Sequence, residues 1–562
     1  MDRSVRPTDD DKRRNGAMVS KSAHSFWKRL SNSTALTGCA SVSGVVASLV
    51  LATVSSAYAL PAAGVVSAGN ATITGSTNTL TINQSSQNAA INWQSFSIGQ
   101  NEGVQFVQPN SNSVALNRVL GPDPSSIFGG LSANGKVFLV NPNGVLFGAG
   151  AQVNVGGLVA STLNLTDANF MSGNYKFSGA GGGAVINQGS INADGGYVAL
   201  LGANVSNEGV ITAKLGTVAL AAGDEMTLDV AGDGLLNVTV DKGAVNALVQ
   251  NGGLISANGG QVVMTAQAAG DLLRTVVNNT GVIEAQTVES QNGTIKLLGD
   301  MQTGTVNVAG TLDASAPTGG DGGSIETSAA HVEVADNAIV TTQSAQGITG
   351  TWLIDPTDFN IGNAVGEVSD IAGSTLGGNL VTTNVTISSS QGASGVNGDI
   401  NVNDAVTWTA SSTPTTLTLN AVRDVNVKNA VTATTGNLDV CCGRDINVSA
   451  AIKTVNGSVL LSAGRDVNLS VAAALTTTDG NITICAADDI DVSAAITLTR
   501  GTTIPGQSLG LAPGLVLIAG NGGTGPGVAG GTLIIEPESW LRLSEQLRAG
   551  DKWIPAGVSW SG

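Results

Sequence analysis

The stretch NQGSINADGGYVALLGA, residues 187–203, decides the fold class. It begins with the pattern Asn-x-Gly-x-(Ile or Leu)-x-Ala, which returns along the chain. Copies start at Asn154, Asn187, Asn207, Asn251 and Asn279, and a sixth from Val308 lacks only the Asn. A repeat of roughly 20 to 45 residues is a supersecondary unit that cannot bury its apolar face alone, so the copies must stack on one another.

Each unit predicts two short strands joined by a bend. Ile191 and Ala193 are two residues apart, as are Val198 and Leu200, and this period of two is typical of half-buried strands. Gly195-Gly196 marks the bend between them. We assign Gly and Asn to turns, and Val, Ile and Thr to strands. We therefore predict an all-β protein, a parallel β-helix or solenoid.

A second array follows a cleaner period. GRDINVSAAIKTVNGSVLLSA from Gly443 precedes GRDVNLSVAAALTTTDGNITICA from Gly464. The equivalent aspartates are Asp424, Asp445, Asp466 and Asp489. We predict that they form an exposed ladder on coils about 4.8 Å apart, screened by Arg423, Arg444 and Arg465. The favoured interpretation is a solvated polar face; the alternatives are a calcium-binding or polysaccharide-binding surface.

The composition limits the classes of partner. The 562 residues include 75 Gly but only 7 Trp, 3 Tyr and 9 Phe, and the formal net charge is −17. The first 60 residues hold 8 Lys and Arg against 4 Asp and Glu, which leaves 16 basic and 37 acidic residues in the remainder. An acidic surface without basic runs argues against binding to nucleic acid or to anionic membranes.

The sequence offers few groups for chemistry. His331 is the single His after residue 60, so a metal cluster or a Ser-His-Asp site is hard to build. Cys441 and Cys485 occupy equivalent positions two coils apart, about 9.6 Å, which exceeds the reach of a disulfide. We predict no disulfide between them, no metal site, no cofactor and no catalytic residues.

The N-terminus has the pattern of a secretory signal. Lys21, Lys28 and Arg29 form a basic region, and the apolar stretch 42–54 follows. Ala57 and Ala59 supply the small residues of a cleavage site, so residues 1–59 are predicted to direct export through the Sec translocon. A membrane-spanning helix is the alternative, but the apolar core is short and rich in Ser, Gly and Thr. Met18 is an alternative start to Met1.

The stretch from Phe106 to Thr162 differs from the repeats. It contains ALNRV at 115–119 and NPNGV at 141–145. On these motifs, the stretch resembles the N-terminal secretion domain of filamentous haemagglutinin-type proteins, the exported partners of two-partner secretion systems. Many members carry a second motif, Asn-Pro-Asn-Leu, upstream; here the corresponding residues 108–111 read QPNS.

The resemblance implies a right-handed parallel β-helix with an N-terminal capping secretion domain. It also implies a partner, an Omp85-type (TpsB-like) outer-membrane β-barrel transporter that reads this domain. The candidate transporter-recognition and cap residues are Asn117, Arg118, Asn141, Pro142, Asn143 and Gly144. Pro142 fixes φ and Asn143-Gly144 tolerates positive φ, so the motif has turn chemistry. A contact of the turn with the transporter and a purely structural turn both stay open.

The sequence divides into six predicted segments. They are the signal 1–59, the secretion domain 60–165, repeats 166–350, a connecting segment 351–400, repeats of about 21 residues over 401–500, and a Gly/Pro-rich stretch with a C-terminal helix over 501–562. That helix, predicted from Pro537 to a Gly550 cap, is expected to cover the last coil.

The leading functional prediction is a non-enzymatic, secreted or cell-surface protein that acts by binding, as an adhesin-like or haemagglutinin-like protein. Its receptor, protein or glycan, is not indicated. One alternative is a β-helix polysaccharide lyase or hydrolase that uses the Asp424–Asp489 ladder. Another is a haem-carrier-binding protein or a cytolysin, which the resemblance also implies.

Overall fold

The computed structural model describes residues 60–179, 181–230, 235–269, 276–363, 368–392, 397–411, 413–499, 508–520, 533–535 and 541–543. These residues belong to one compact unit, Ala57–Gly562. The predicted signal segment, with Ala57 and Ala59, lies outside the described residues. No helix within the described residues is long and apolar enough to span a membrane.

The chain winds in coils, and successive coils add parallel strands to the same sheets. Sheet 1 runs through the described coils from end to end. Its strands are β1 (Val65–Ala68), β4 (Asn88–Trp93), β6 (Val114–Val119), β9 (Lys136–Val140), β12 (Gly157–Ser161), β16 (Tyr197–Gly202), β19 (Thr217–Ala222), β24 (Gln261–Ala266), β27 (Thr294–Leu298), β30 (Ser324–Ser328), β33 (Thr351–Asp355), β35 (Asn384–Ser388), β38 (Thr415–Ala421), β41 (Gly436–Cys442), β44 (Val459–Ala463), β47 (Ile482–Ala486) and β50 (Leu515–Ile518).

Two further sheets complete the coils of the N-terminal half. Sheet 2 contains β7 (Ser125–Ile127), β10 (Val145–Phe147), β14 (Ala184–Asn187), β17 (Asn204–Asn207), β22 (Leu248–Asn251), β25 (Val276–Asn279), β28 (Thr305–Val308) and β31 (His331–Val334). Sheet 3 contains β2 (Ala71–Gly75), β3 (Thr79–Gln84), β5 (Gly103–Val107), β8 (Gly130–Ala133), β11 (Gln152–Asn154), β15 (Ser190–Asn192), β18 (Val210–Thr212), β23 (Leu254–Ser256), β26 (Val282–Glu284), β29 (Thr311–Asp313) and β32 (Ile339–Thr341).

Different sheets complete the coils of the C-terminal half. Sheet 4 contains β34 (Phe359–Ile361), β36 (Ile400–Val402), β39 (Val425–Val427), β42 (Ile446–Val448), β45 (Val467–Leu469), β48 (Ile490–Val492) and β51 (Leu533–Ile535). Sheet 5 contains β37 (Val406–Thr409), β40 (Val431–Thr434), β43 (Ile452–Val455), β46 (Leu475–Thr478), β49 (Ile496–Thr499) and β52 (Leu541–Leu543). The parallel β-helix predicted from the repeats is confirmed.

Inward side chains fill a continuous core. Ile191, Ala193, Val198 and Leu200 are fully buried, as their alternation predicted. The first copy of the repeat, however, was wrongly aligned. Asn154 is exposed on β11 and pairs with Asn192, whereas the residue equivalent to Asn187 is Phe147. The short Asn-x-Gly pattern at Asn154 therefore begins in sheet 3, whereas in the other copies it begins at the end of a sheet 2 strand.

The repeat asparagines do not lie in turns as predicted. Asn187, Asn207, Asn251 and Asn279 are buried at the ends of sheet 2 strands. Each of the first three donates from Nδ2 to Oδ1 of the next, at 2.8, 2.7 and 2.8 Å. We call these four residues the Asn ladder. An amide can donate and accept at once, so it can satisfy both neighbours in a buried stack.

The N-terminal coils carry antiparallel additions. Strand β1 pairs antiparallel with β4, and β2 pairs antiparallel with β3. An antiparallel sheet of β13 (Tyr175–Ser178), β20 (Glu225–Val230) and β21 (Leu236–Lys242) lies outside the coils, with the short helix α1 (Asp167–Met171). Phe138 projects from sheet 1 into this second core, where it contacts Phe170 and Tyr175 at ring-centroid distances of 6.1 and 5.1 Å.

The helix α2 (Gly373–Leu380) marks the change from sheets 2 and 3 to sheets 4 and 5. It lies within the predicted connecting segment 351–400, which also contributes β33, β34, β35 and the first residue of β36. The side chain of Asn379 accepts the backbone N–H of Val340 in β32 at 2.9 Å, and Thr383 Oγ1 accepts that of Thr342 at 3.0 Å. These side chains satisfy an edge strand that has no further strand to pair with.

The C-terminal helix prediction is wrong where the structure describes it. Leu541–Leu543 is strand β52, in register with Ile496–Leu498 of β49. The apolar–polar–apolar order of Leu541, Arg542 and Leu543 suits a strand, and the open edge of β49 supplies backbone partners. The other residues of the predicted helix lie outside the described part of the chain.

Candidate functional site

The turn at 141–144 follows β9 and is held by the side chain of its first residue. Asn141 Oδ1 accepts the backbone N–H of Asn143 at 3.0 Å, and the N–H of Gly144 donates to Asn141 O at 3.0 Å. Gly144 has a φ of 120°, a value that favours glycine. The predicted turn chemistry is therefore present, with the carboxamide of Asn141 as its organising group.

The same turn fixes a neighbouring loop. Asn141 Nδ2 donates to Asp123 O at 3.0 Å, and Asn143 Nδ2 donates to Gly121 O at 3.0 Å. The loop 120–124, of sequence LGPDP, is thereby tied to the turn. Its residues Leu120, Pro122 and Pro124 are exposed, as is Pro142 in the turn. We call these four side chains the apolar turn face.

The residues at the site of the second family motif, 108–111, also carry hydrogen bonds. Gln108 is buried, and its Nε2 donates to Gln84 Oε1 at 3.1 Å while its Oε1 accepts the N–H of Gly135 at 3.1 Å. Asn110 Oδ1 accepts the N–H of Asn112 at 2.9 Å. Gln108 therefore links three successive coils of the cap from inside.

Asn117 and Arg118 lie on β6 and point in different directions. Asn117 is fully buried; its Oδ1 accepts the indole N–H of Trp93 at 3.0 Å, and its Nδ2 donates to Phe138 O at 3.3 Å. Without Asn117, the indole N–H in the core would lack a partner. Asn117 therefore has no surface through which it could contact a transporter.

Arg118 fastens the segment that leads into helix α1. Its guanidinium donates to Asn92 Oδ1 at 2.8 Å, to Leu165 O at 2.5 Å and to Asp167 Oδ1 at 2.7 Å. Its side chain is only 14% exposed. Burial tends to raise the pKa of Asp167, but the hydrogen bonds and charge of Arg118 outweigh it and lower that pKa.

The predicted exposed Asp ladder is a half-buried ion-pair stack. Asp424 and Asp445 are only 9% and 8% exposed, so their prediction as exposed is wrong; Asp466 and Asp489 are half-buried. Arg444 pairs with Asp424, and Arg465 with Asp445, each from the following coil. The planar guanidinium covers the carboxylate beneath it with two N–H groups.

The stack begins one coil earlier than the sequence indicated. Asp399 accepts from Arg423 at 3.0 Å, but it follows Gly398 instead of an Arg, which hid the equivalence. Burial favours a raised pKa for Asp424, yet the Arg444 side chain and the Asp445 N–H outweigh it and hold that pKa below its usual value.

The stack changes character at its C-terminal end. Asp488 occupies the position that Arg465 has one coil earlier, because its N–H donates to Arg465 O at 2.9 Å. The carboxylates of Asp466, Asp488 and Asp489 approach within 4.8 Å of one another. Partial desolvation and the charges of Asp489 and Asp466 raise the pKa of Asp488.

The cysteines lie where the predicted register places them. Cys441 pairs with Ser462, which pairs with Cys485, so two coil steps separate the thiols. Cys441, Cys442 and Cys485 form no disulfide with one another. Burial raises the pKa of Cys442 to about 11, so its thiol is protonated at neutral pH.

Comparison with known protein families gives a match to the N-terminal coils, which include the turn at 141–144. A family model described as the TPS secretion domain matches residues 57–314. The matched segment is similar to TPS (two-partner) secretion domains and makes up just under half of the chain. The match extends past residue 165 and includes the Asn ladder and the antiparallel additions.

The secretion domain has relatives in Haemophilus influenzae. A heme/hemopexin-binding protein of strain KW20 / Rd is 40% identical over 258 residues, 44% of this chain and 28% of that protein. A second heme/hemopexin-binding protein is 34% identical over 245 residues, 39% of this chain and 26% of that protein. The chain thus matches about a quarter of each relative's length. The crystal structure of the HMW1 secretion domain is similar at 23% identity, with a TM-score of 0.47, covering 78% of this chain and all of that one.

Proposed function

We propose that this chain is the exported partner of a two-partner secretion system. In this proposal it crosses the inner membrane through the Sec translocon and then the outer membrane through an Omp85-type (TpsB-like) β-barrel transporter. It becomes a secreted or cell-surface protein. The observation that carries the proposal is the secretion domain at residues 57–314, with a relative that is 40% identical over nearly the same length.

The transporter contact is proposed to lie on the apolar turn face. Asn141 and Asn143 direct their carboxamides at the loop 120–124, so their role is to hold this face in place. Leu120, 64% exposed, offers the largest apolar side chain of the face. Exposed apolar groups that cluster on rigid turns are typical of docking surfaces.

The exported chain is proposed to act by binding, without catalysis, as an adhesin-like surface protein. The lyase alternative needs free carboxylates beside a basic residue in a groove. Arg444 and Arg465 cover Asp424 and Asp445 instead, which disfavours it. A haem-carrier-binding role is the second candidate, since both curated relatives are heme/hemopexin-binding proteins. The similarity covers the secretion domain, so it supports the export route more than this ligand.

Secretion from a Gram-negative host, with and without the cognate transporter, tests the proposal. We expect transporter-dependent release of the wild type. Leu120→Asp is expected to reduce release at least tenfold. Ile339→Asp, at a residue 58% exposed and outside the matched segment, is the control and is expected to be released normally. The double variant Asn141→Ala/Asn143→Ala should lose release and become protease-sensitive at residues 120–124.

The outcomes separate the two parts of the proposal. Transporter-independent release, or retention of the wild type despite the transporter, would refute the export route. Normal release of Leu120→Asp, alongside transporter-dependent release of the wild type, would place the contact elsewhere.

A further inference from the structure

The turns that lead from sheet 3 to sheet 1 change length abruptly along the coils. Three successive coils have four-residue turns at 193–196, 213–216 and 257–260. The next three have longer turns at 285–293, 314–323 and 342–350. A groove lies where the last short turns meet the first long turns, and residues of both kinds of turn line it.

This groove has a volume of about 480 Å³, within the range of small-ligand sites. Asp194, Lys214 and Asn258 of the short turns line it, with Thr212 and Ser256 from the ends of β18 and β23. The opposite wall comes from the first two long turns, with Gln286, Thr287, Val288, Pro317 and Thr318.

The wall of the groove is fixed by bonds between the long turns. Thr287 Oγ1 donates to Asp321 O at 2.8 Å, and the Ile348 N–H donates to Asp321 Oδ1 at 2.8 Å. Ser344 Oγ donates to Gly320 O at 2.6 Å. Three successive turns are thus linked into one rigid rim, so a ligand would meet a preformed surface.

The floor presents hydrogen-bond donors. Within the described residues, Lys214 has no ion pair, and no hydrogen bond engages Ser256 Oγ or Asn258 Nδ2. The carboxylate of Asp194 already accepts the backbone N–H of Lys214 at 2.9 Å, and Asn258 Oδ1 accepts the N–H of Gln286 at 2.8 Å. An ammonium, a hydroxyl and an amide NH₂ therefore remain for a ligand, which suits hydroxyl and carboxylate oxygens.

Leu215, next to Lys214 at the groove, has an unusual backbone conformation. It has a φ of 58°, whereas the equivalent residues of the adjacent coils are Gly195 and Gly259, each with a φ of 73°. The side chain is 45% exposed, and its Cδ2 lies over Gly259 beside the Cβ of Val288. A bulky residue in the left-handed region is strained, and such residues concentrate at functional sites.

We infer that this groove binds a short, carboxylate-bearing oligosaccharide. The ammonium of Lys214 pairs with the carboxylate, and Ser256 and Asn258 contact sugar hydroxyls. Leu215 and Val288 offer an apolar rim to one face of a sugar ring. Because the chain carries a net charge of −17, the attraction is local and should weaken with added salt. Binding at this groove does not depend on the export route, because it is measured on the purified protein.

Calorimetric titration of the purified full chain at low ionic strength tests the inference. The acidic probes are 3′-sialyllactose and trigalacturonate, and lactose is the neutral control for the first. We expect at least one acidic probe to bind, and lactose to bind at least tenfold more weakly. Lys214→Gln should weaken the acidic probe about tenfold, as expected for one charge-assisted hydrogen bond. Lys453→Gln, at an exposed lysine of β43, is the control and should bind normally.

Leu215→Gly separates a binding role from a structural one. The glycine relieves the left-handed strain, so the variant should melt no lower than the wild type. We nevertheless expect weaker binding of the acidic probe, because the apolar rim is lost. Absence of binding by both acidic probes would overturn the inference. So would equal binding of lactose, or binding that neither Lys214→Gln nor Leu215→Gly weakens.

Discussion

At the scale of the residue, the most consequential side chain is the Asn of the repeat. Its carboxamide lies inside the coil and bonds to the copies above and below. Phe147 precedes the Asn ladder and Val308 follows it. The sixth repeat can therefore carry Val308 in place of Asn, because this position lies beyond Asn279, the last residue of the Asn ladder.

Position within the Asn ladder should decide the cost of its loss. Asn251→Val removes two ladder bonds, those to Asn207 and Asn279, whereas Asn279→Val removes only the one to Asn251. The Nδ2 groups that lose a ladder bond keep longer contacts of 3.4 Å with backbone carbonyl oxygens. At about 0.5–1.5 kcal/mol for each lost hydrogen bond, we expect Asn251→Val to lower the free energy of unfolding by roughly twice as much as Asn279→Val. Urea denaturation of both variants measures the difference. Equal losses would show that the ladder bonds are energetically minor.

The Asp–Arg stack should make stability depend on pH. The pKa of Asp424 is lowered in the fold, so its ionised form stabilises the protein above the unfolded pKa near 3.8. That contribution is lost as the pH falls through the folded value. Asp424→Asn should therefore be less stable than the wild type at neutral pH, and this difference should shrink as the pH falls below the unfolded value. Denaturation curves across this range check it.

Asp439 provides the matched case of opposite sign. Burial raises its pKa, so the fold disfavours its ionised form. Asp439→Asn should stabilise the protein at neutral pH and lose that advantage as the pH falls from the raised folded pKa of Asp439 to the unfolded value near 3.8. If acid changes the stability difference from the wild type in the same direction for both variants, the pKa values of Asp424 and Asp439 are not shifted in opposite directions, and the prediction is wrong.

At the scale of the element, helix α2 shows how the coil changes its sheets. It packs closely enough on β37 that a Cβ on Gly377 would collide with the carbonyl O of Thr407. Gly378, its neighbour, has open space around the corresponding position. The helix thus needs one glycine for its approach to the strand and tolerates a side chain at the next.

Two alanine substitutions in helix α2 should act in opposite directions. Gly377→Ala is expected to destabilise the protein by about 1–3 kcal/mol, the usual cost of overpacking. Gly378→Ala is expected to stabilise it by about 0.5–1 kcal/mol, because alanine favours the helix. Thermal unfolding of the two variants provides the comparison. A destabilised Gly378→Ala would indicate a neighbour at that position.

At the scale of the whole molecule, stability should pass from coil to coil through nearest neighbours. Ile255 stacks between Ile211 and Ile283, and all three are fully buried. In such a solenoid, each coil is stabilised mainly by the coils on either side. A destabilising substitution in one coil should therefore weaken mainly that coil and the coils on either side.

Ile255→Ala tests this expectation. The cavity should cost about 2–5 kcal/mol. Hydrogen exchange should lose protection in β18, β23 and β26, while β42 and β45 of the C-terminal half stay protected. Uniform loss of protection along the described coils would instead mean that they unfold as a single cooperative unit.

The class of fold, the alternation of the repeat strands and the resemblance to two-partner secretion domains could be predicted from the amino-acid sequence. Period-two alternation places Ile191 and Val198 inward whatever the rest of the chain does, because the pleat turns successive side chains to opposite faces. The NPNG turn was equally readable, since proline and glycine restrict local backbone angles. Such properties depend on residues that are close in the chain.

The contacts that the polar side chains make follow from the tertiary structure and could not be predicted from the sequence. Whether Asn251 faces a turn or a buried stack depends on coils 28 and 44 residues away. The burial of Asp424 depends on Arg444 one coil later, and the groove at Lys214 depends on turns that lengthen from the second coil further on. Hydrogen bonds and charge pairs across coils follow from the register of the stack, and that register is set by the packing of all coils together.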